Sequence, residues 1–259
     1  MLYFKLNAIK KKQMKFKKKY FFLNKYFLCF LIQSCFGESS LDQSKINMIL
    51  QYMVDRDIRC FLNIISLCEG TSNKRKEKIS CFVPSWGEYS VSFGYTEKIN
   101  LEKYPEKFFC PRGKKYFCSS ASGRYQFIAK TWKFLTKKYD QETVFNSNKI
   151  FFTYFFNNIE NYYDQTIIKK YENFQDLLRY KFGPFWQDFY AVVLLVQANL
   201  IGLIKNKNIE KLCQKISFIW PSFPKNKSSE NRYKDGVNNA KSFKKIVRLF
   251  ELQMKKREE

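Results

Sequence analysis

The most apolar run of the chain, Gln187–Ile204, limits the fold more than any other feature. It holds Asp188 and Gln197 and falls short of the ~20 apolar residues that span a bilayer, so it reads as a helix buried in a water-soluble core. Other elements must cover it. Ser44–Cys68 supplies one or two helices: Ile46, Leu50 and Met53 share one face, Ile58, Phe61, Leu62, Ile65 and Cys68 continue at helical spacing, and Gly70 supplies the stop. A last amphipathic helix is expected over Ala240–Lys255, through Phe243, Ile246, Val247, Phe250 and Leu252. At 259 residues the chain holds one sizeable domain plus an appendage.

Between these helices the pattern changes. Tyr89, Val91, Phe93 and Tyr95 alternate with Ser90, Ser92 and Gly94, which predicts a short strand or hairpin, followed by a long loop. Ser119–Gly123 is expected to open a helix running through Arg124–Lys138, with Tyr125, Ile128 and Trp132 on one side. Residues 138–180, dense in Asn, Phe, Tyr and Lys, read as an insertion with some helix. No internal repeat is visible.

Residues 1–37 have the order of a secretory signal. A Lys-rich run (Lys15, Lys17, Lys18, Lys19, Lys25) precedes the short apolar Tyr26–Ile32 and the small residues of Ser34-Cys35-Phe36-Gly37. Cleavage after Gly37 is the first expectation; a poor lipobox that leaves Cys35 acylated and an uncleaved anchor are the alternatives. The domain proper is then 38–259, exported to the periplasm or secreted, with no stable membrane insertion after cleavage. It keeps Cys60, Cys68, Cys81, Cys110, Cys118 and Cys213, an even number that permits disulfides in such a compartment. Cys110 and Cys118 flank the turn-rich Pro111–Lys114 and form the most plausible bridge, whereas Cys60 and Cys68 could equally be buried thiols.

The net charge is +24, and residues 1–37 carry nine lysines and no acid, so the remainder keeps +15. Such a surface attracts nucleic acid, anionic lipid and acidic wall polymers alike. No Cys/His finger, RNP-like segment or basic heptad points to nucleic acid. The chain has no His, which removes Ser-His and Cys-His nucleophile pairs and every imidazole metal site. Neither a metal nor a cofactor is expected. Catalysis must come from carboxylates, Cys, Lys or Tyr.

Glu69 stands at the end of an apolar helix, four residues after Ile65 and seven after Leu62. A carboxylate there is poorly solvated, which favours its neutral form and suits the general acid that a leaving glycosidic oxygen needs. Glu88, Glu97 and Glu102 are candidates for a second carboxylate, each more simply read as a surface charge. Gly123 suits a positive φ or a close approach to a sugar, and the free backbone N–H groups beside it, with Ser122 and Gln126, could bind hydroxyl or N-acetyl groups.

Five blocks, in order, resemble the lambda-type phage lysozymes. Phe61–Thr71 resembles their catalytic helix, which ends Ser-Glu-Gly-Thr, with Cys68 here in place of the Ser. Tyr89–Gly94 looks like their short strand, and Ser122-Gly123-Arg124-Tyr125-Gln126-Phe127 with Trp132 resembles their Gly-Arg-Tyr-Gln segment and Trp. Phe182-Gly183-Pro184 with Gln187-Asp188 looks like the next helix, and Ile219–Pro224 resembles their Ile-Trp-Ala-Ser-Leu-Pro turn. Tyr104-Pro105 stands where the family tends to have His-Pro, and Lys225–Ser229 replaces a glycine-rich lip.

The resemblance implies a mainly helical, lysozyme-like α+β fold with a small β-hairpin region, spanning roughly 52–255 and interrupted near 138–180. It implies a monomeric peptidoglycan lytic transglycosylase that cuts the bond between N-acetylmuramic acid and N-acetylglucosamine and closes a 1,6-anhydro ring. Glu69 is then the single acid/base, Ser122, Gly123, Tyr125 and Gln126 line the cleft, and Trp132 and Trp220 serve packing. A water-using muramidase and a non-catalytic wall-binding protein are the alternatives.

Overall fold

The computed structural model describes residues 42–95, 97–110, 118–230 and 240–255. The chain from Leu41 onward forms one compact unit. The expected signal, its cleavage site, Cys35 and the Pro111–Lys114 turn lie outside the described residues.

Asp42 starts the first helix, α1 (Gln43–Val54), by accepting hydrogen bonds from the N–H groups of Ser44 (3.0 Å) and Lys45 (3.4 Å). Asp55 ends it and caps the next helix, α2 (Arg56–Glu69), by accepting from Asp57 and Ile58 at 3.0 and 3.1 Å. One Asp thus divides the stretch, expected as one or two helices, into two. α1 buries Ile46, Ile49, Leu50 and Met53, and α2 is buried at every position from Cys60 to Cys68. Each large apolar side chain so buried stabilises the fold by about 1.5–3 kcal/mol.

Eight short or intermediate helices follow: α3 (Trp86–Tyr89), α4 (Ala129–Lys138), α5 (Gln141–Ser147), α6 (Lys149–Asn157), α7 (Gln165–Ile168), α8 (Asp176–Arg179), α9 (Pro184–Gln197) and α10 (Ile201–Lys205). Two more, α11 (Ile209–Ile216) and α12 (Phe243–Gln253), complete the set. α9 is the central element, buried at every position from Pro184 to Leu195 and packed on α1, α2 and α3. Pro184 in its first turn and Gly183 as its N-cap fix its start. α10 and α12 cover α2. The expected run Gln187–Ile204 is two helices, because Asn199 turns the chain with φ of 54°. α12 lies within the Ala240–Lys255 expected for the last helix.

The segment 138–180 is folded as α5 to α8 and contributes to the core. Phe152 and Phe155 meet Phe185 of α9 at ring-centroid distances of 5.0 and 5.1 Å, and Phe155 stacks on Tyr162 at 4.7 Å. The backbone carbonyl of Tyr162 accepts a 2.5 Å hydrogen bond from Arg59 of α2.

Two expectations need correction. The strand over Tyr89–Tyr95 is absent: Tyr89 closes α3, Phe93–Tyr95 is a 3-10 turn around Gly94 (φ 68°), and Val91 and Ser92 make isolated antiparallel bridges to Lys98 and Ser122. Alternation marked buried against exposed positions, but too few partners lie alongside to extend a ladder. The helix expected from Arg124 begins at Ala129. Gly123 (φ 77°) and Gln126 (φ 51°) are both left-handed, and Ser122 bridges back to Phe127, so this stretch is a tight turn.

Cys110 bridges Cys118 as expected, and Cys60 bridges Cys81. Cys68 and Cys213 are buried free thiols, with the Cys68 thiol pushed well up and that of Cys213 to about 12 by burial. No helix among the described residues is long and apolar enough to cross a membrane, and none of their acidic and Cys side chains form a group that could hold a metal.

Candidate active site

Glu69 is the last residue of α2 and is partly buried. Gly70 ends the helix with φ of 77°, and its N–H donates to the Ser66 carbonyl. Removal from water raises the Glu69 carboxyl to about 7, while the Ser222 hydrogen bond and the charge of Lys241 pull it down. Ser222 Oγ donates to Glu69 Oε1 at 2.5 Å. Among the described residues none hydrogen-bonds Oε2.

Three segments meet around this carboxyl. The helix end is tied to the 122–127 turn by Thr71, whose Oγ1 donates to the Arg124 carbonyl at 2.6 Å. The Ile219–Pro224 turn is tied to the same place, because Trp220 Nε1 donates to the Tyr125 carbonyl at 3.0 Å. That turn then presents Ser222 to Glu69, and the Ser222 carbonyl accepts the Lys241 N–H at 2.8 Å, anchoring the approach to α12.

The Gly-Arg-Tyr-Gln segment acts as scaffold. Arg124 is buried and donates to Tyr89 Oη (3.1 Å), Tyr125 Oη (3.0 Å), Ser66 Oγ (3.3 Å) and Asn63 Oδ1. Asp188, carried into the core by α9, accepts from Tyr125 (2.6 Å), Tyr89 (2.8 Å) and Tyr163 (3.0 Å), with Arg59 Nη1 3.4 Å away. Burial holds these three phenols far above their ordinary range, so they stay neutral donors. The buried Asp188 and Arg124 charges are thereby surrounded by partners.

Of the four residues expected to bind substrate, two are corrected. Tyr125 is fully buried and its hydroxyl is spent on Asp188; Ser122 is fully buried and pairs with Phe127. A ring beside a tight turn can face inward as readily as outward, and here Asp188 supplied the polar partner that drew it in. Gly123 has its positive φ, and its close neighbour is protein: an added Cβ would lie 2.1 Å from Gln187 Oε1, which accepts the Arg124 N–H at 2.8 Å. Gln126 is partly exposed, with Nε2 donating to the Gly123 carbonyl at 2.9 Å. Trp132 and Trp220 are core residues as expected.

Glu88 is not a surface charge. It is buried, accepts from Ser72 at 2.6 Å and pairs with Lys76 at 2.5 Å and Arg124 at 3.4 Å. Glu97 and Glu102 are exposed and pair with Lys107 and Arg179. Ser222 was missed as a partner of Glu69 because 153 residues separate the two.

A partly buried carboxyl at the end of a buried helix, overlooked by two loops and backed by a second buried helix, is thus what the three segments assemble. The structure is similar to that of bacteriophage lambda lysozyme complexed with a chitohexasaccharide, with a TM-score of 0.50, 18% sequence identity, and coverage of 76% of this chain and 94% of that one. The chain therefore has a lambda-lysozyme-like fold. No family model and no curated protein sequence matches it.

Proposed function

We propose that this protein is an exported enzyme that cleaves the glycan strands of peptidoglycan as a lytic transglycosylase, with Glu69 as single acid and base. The observation that carries the reading is the state of Glu69: a carboxyl raised to about 7, steadied through Oε1 by Ser222, with Oε2 left for substrate. A group titrating there is protonated often enough to act as an acid and ionises readily enough to act as a base near neutrality. The bound chitohexasaccharide of the lambda enzyme supports a glycan as the ligand class.

In the first step the proton of Glu69 passes to the glycosidic oxygen as its bond to C1 of N-acetylmuramic acid breaks. The resulting carboxylate takes the proton of the sugar's C6 hydroxyl, whose oxygen closes onto C1. One proton is given and one recovered, so no second carboxylate is needed. This fits a site in which Glu88 is consumed by Lys76 and Arg124.

Mass spectrometry of soluble products from purified peptidoglycan tests the reading. Residues 38–259 should release anhydro-muropeptides, and Glu69→Gln should lower the rate by about 10²–10⁴-fold or more. Reducing-end products would replace the reading by a water-using muramidase. No products together with firm sedimentation on the wall would replace it by a wall-binding protein.

A further inference from the structure

The 3-10 turn Lys74–Lys78 begins five residues after Glu69, and α12 packs against it. The two are pinned by Lys245 Nζ to Glu77 Oε1 at 2.7 Å and by Gln253 Nε2 donating to the Ile79 carbonyl at 2.7 Å. The carboxylates that meet the turn are already neutralised, Glu77 by Lys245 and Glu88 of α3 by Lys76 and Arg124. Lys74, Arg75 and Lys78 on the turn and Lys244 and Arg248 on α12 are exposed, and no described carboxylate lies within ion-pair distance of them. Glu251 is the one acid on that helix.

Two features set this face apart from a solvated charge run. The first turn of α12 carries Lys244 and Lys245 and no acid, the arrangement that the helix dipole disfavours, so helix stability alone does not account for it. The Lys241 N–H, just before α12, donates at 2.8 Å to the carbonyl of Ser222, whose hydroxyl holds Glu69, which puts the approach to that helix beside the site.

We propose that this basic face holds the carboxylates of the peptide stems borne by the glycan strand being cut. The inference rests on the reading given under Proposed function. A strand passing Glu69 brings its own stems, repeated along its length, toward cations that begin five residues after Glu69 on the turn and three residues after Lys241 on α12, so no second polymer is required. Opposed charges at such a rim steer encounter and fix the register of a polymer more than they add raw affinity. The stems would thus set which glycosidic bond lies over Glu69.

The test uses the Glu69→Gln protein, which binds without degrading, and the same protein carrying Lys74→Gln, Arg75→Gln, Lys78→Gln, Lys244→Gln and Arg248→Gln, with thermal melting to show that both are folded. Binding is titrated by fluorescence on strands freed of phosphopolymer, with stems intact or removed by an amidase. Stemmed strands should bind the multiple variant about tenfold more weakly at low salt, a gap that closes as salt is raised. Stripped strands should bind both proteins equally. Equal binding to stemmed strands, an undiminished gap on stripped strands, or a gap found only with phosphodiester polymers or duplex DNA overturns the proposal. Because binding is read without turnover, a stem-dependent gap alongside a wild type that yields no products would sink the enzymatic reading alone.

Discussion

At Glu69 burial and hydrogen bonding pull in opposite directions on one carboxyl. Burial is the larger effect, so the fold carries an acid whose ionised form it disfavours. Activity that needs protonated Glu69 should fall as pH rises through about 7. Ser222→Ala removes the hydrogen bond that lowers the value, so the alkaline limb of the rate profile should move to higher pH. A limb that stays in place would show that Ser222 does not bear on the titration. Stability follows the same sign. The folded value of about 7 lies above the unperturbed 4.5, so the folded protein binds the proton more tightly and loses stability as pH rises between these values. Glu69→Gln, which cannot ionise, should therefore be more stable than wild type at pH 8 by about 3 kcal/mol, and the gap should close by pH 4 in paired urea titrations.

At the scale of the element, the decisive unit is the turn from Ser122 to Phe127. Its two left-handed residues, Gly123 and Gln126, let the chain reverse, and its carbonyls hold both Thr71 and Trp220 in place. Gly123→Ala forces a Cβ into Gln187 Oε1 and Phe182 at 2.1 and 2.9 Å and strains a φ of 77°. Since Gln187 is fully buried and hydrogen-bonded, it cannot swing aside without loss. The substitution should cost about 2 kcal/mol or more and lower activity through misplacement of the loops around Glu69. Chemical denaturation that left Gly123→Ala as stable as wild type would overturn this account.

For the molecule as a whole, the Cys60–Cys81 bridge binds the middle of α2 to the segment that follows the basic turn, closing a loop of 21 residues. Replacing both cysteines should cost about 3 kcal/mol and depress the melting temperature, and reducing agent should do the same to wild type. Cys68 and Cys213, buried as free thiols, should resist alkylation until the protein unfolds. Mass spectrometry after iodoacetamide labelling in native buffer checks this. The segment 138–180 belongs to this scale too. Its aromatic side chains cover one side of α9, and Tyr163 completes the shell around Asp188, so it is a working part of the core.

The sequence by itself determined the helices that carry an unbroken apolar face, the glycine that ends α2, and the place of Glu69 at that end. Those follow from spacing over a few residues, where 3.6-residue periodicity and Gly70 act locally. The Gly-Arg-Tyr-Gln segment was legible as special but misread in role. Whether Tyr125 faces a cleft or Asp188 depends on an α9 carboxylate 63 residues away, and no local pattern records that distance. The same holds for Ser222 on Glu69, Glu88 among Lys76 and Arg124, and Cys60 with Cys81. Only tertiary structure decided them, because the direction of a buried polar side chain is set by which partner can satisfy it once water has been removed.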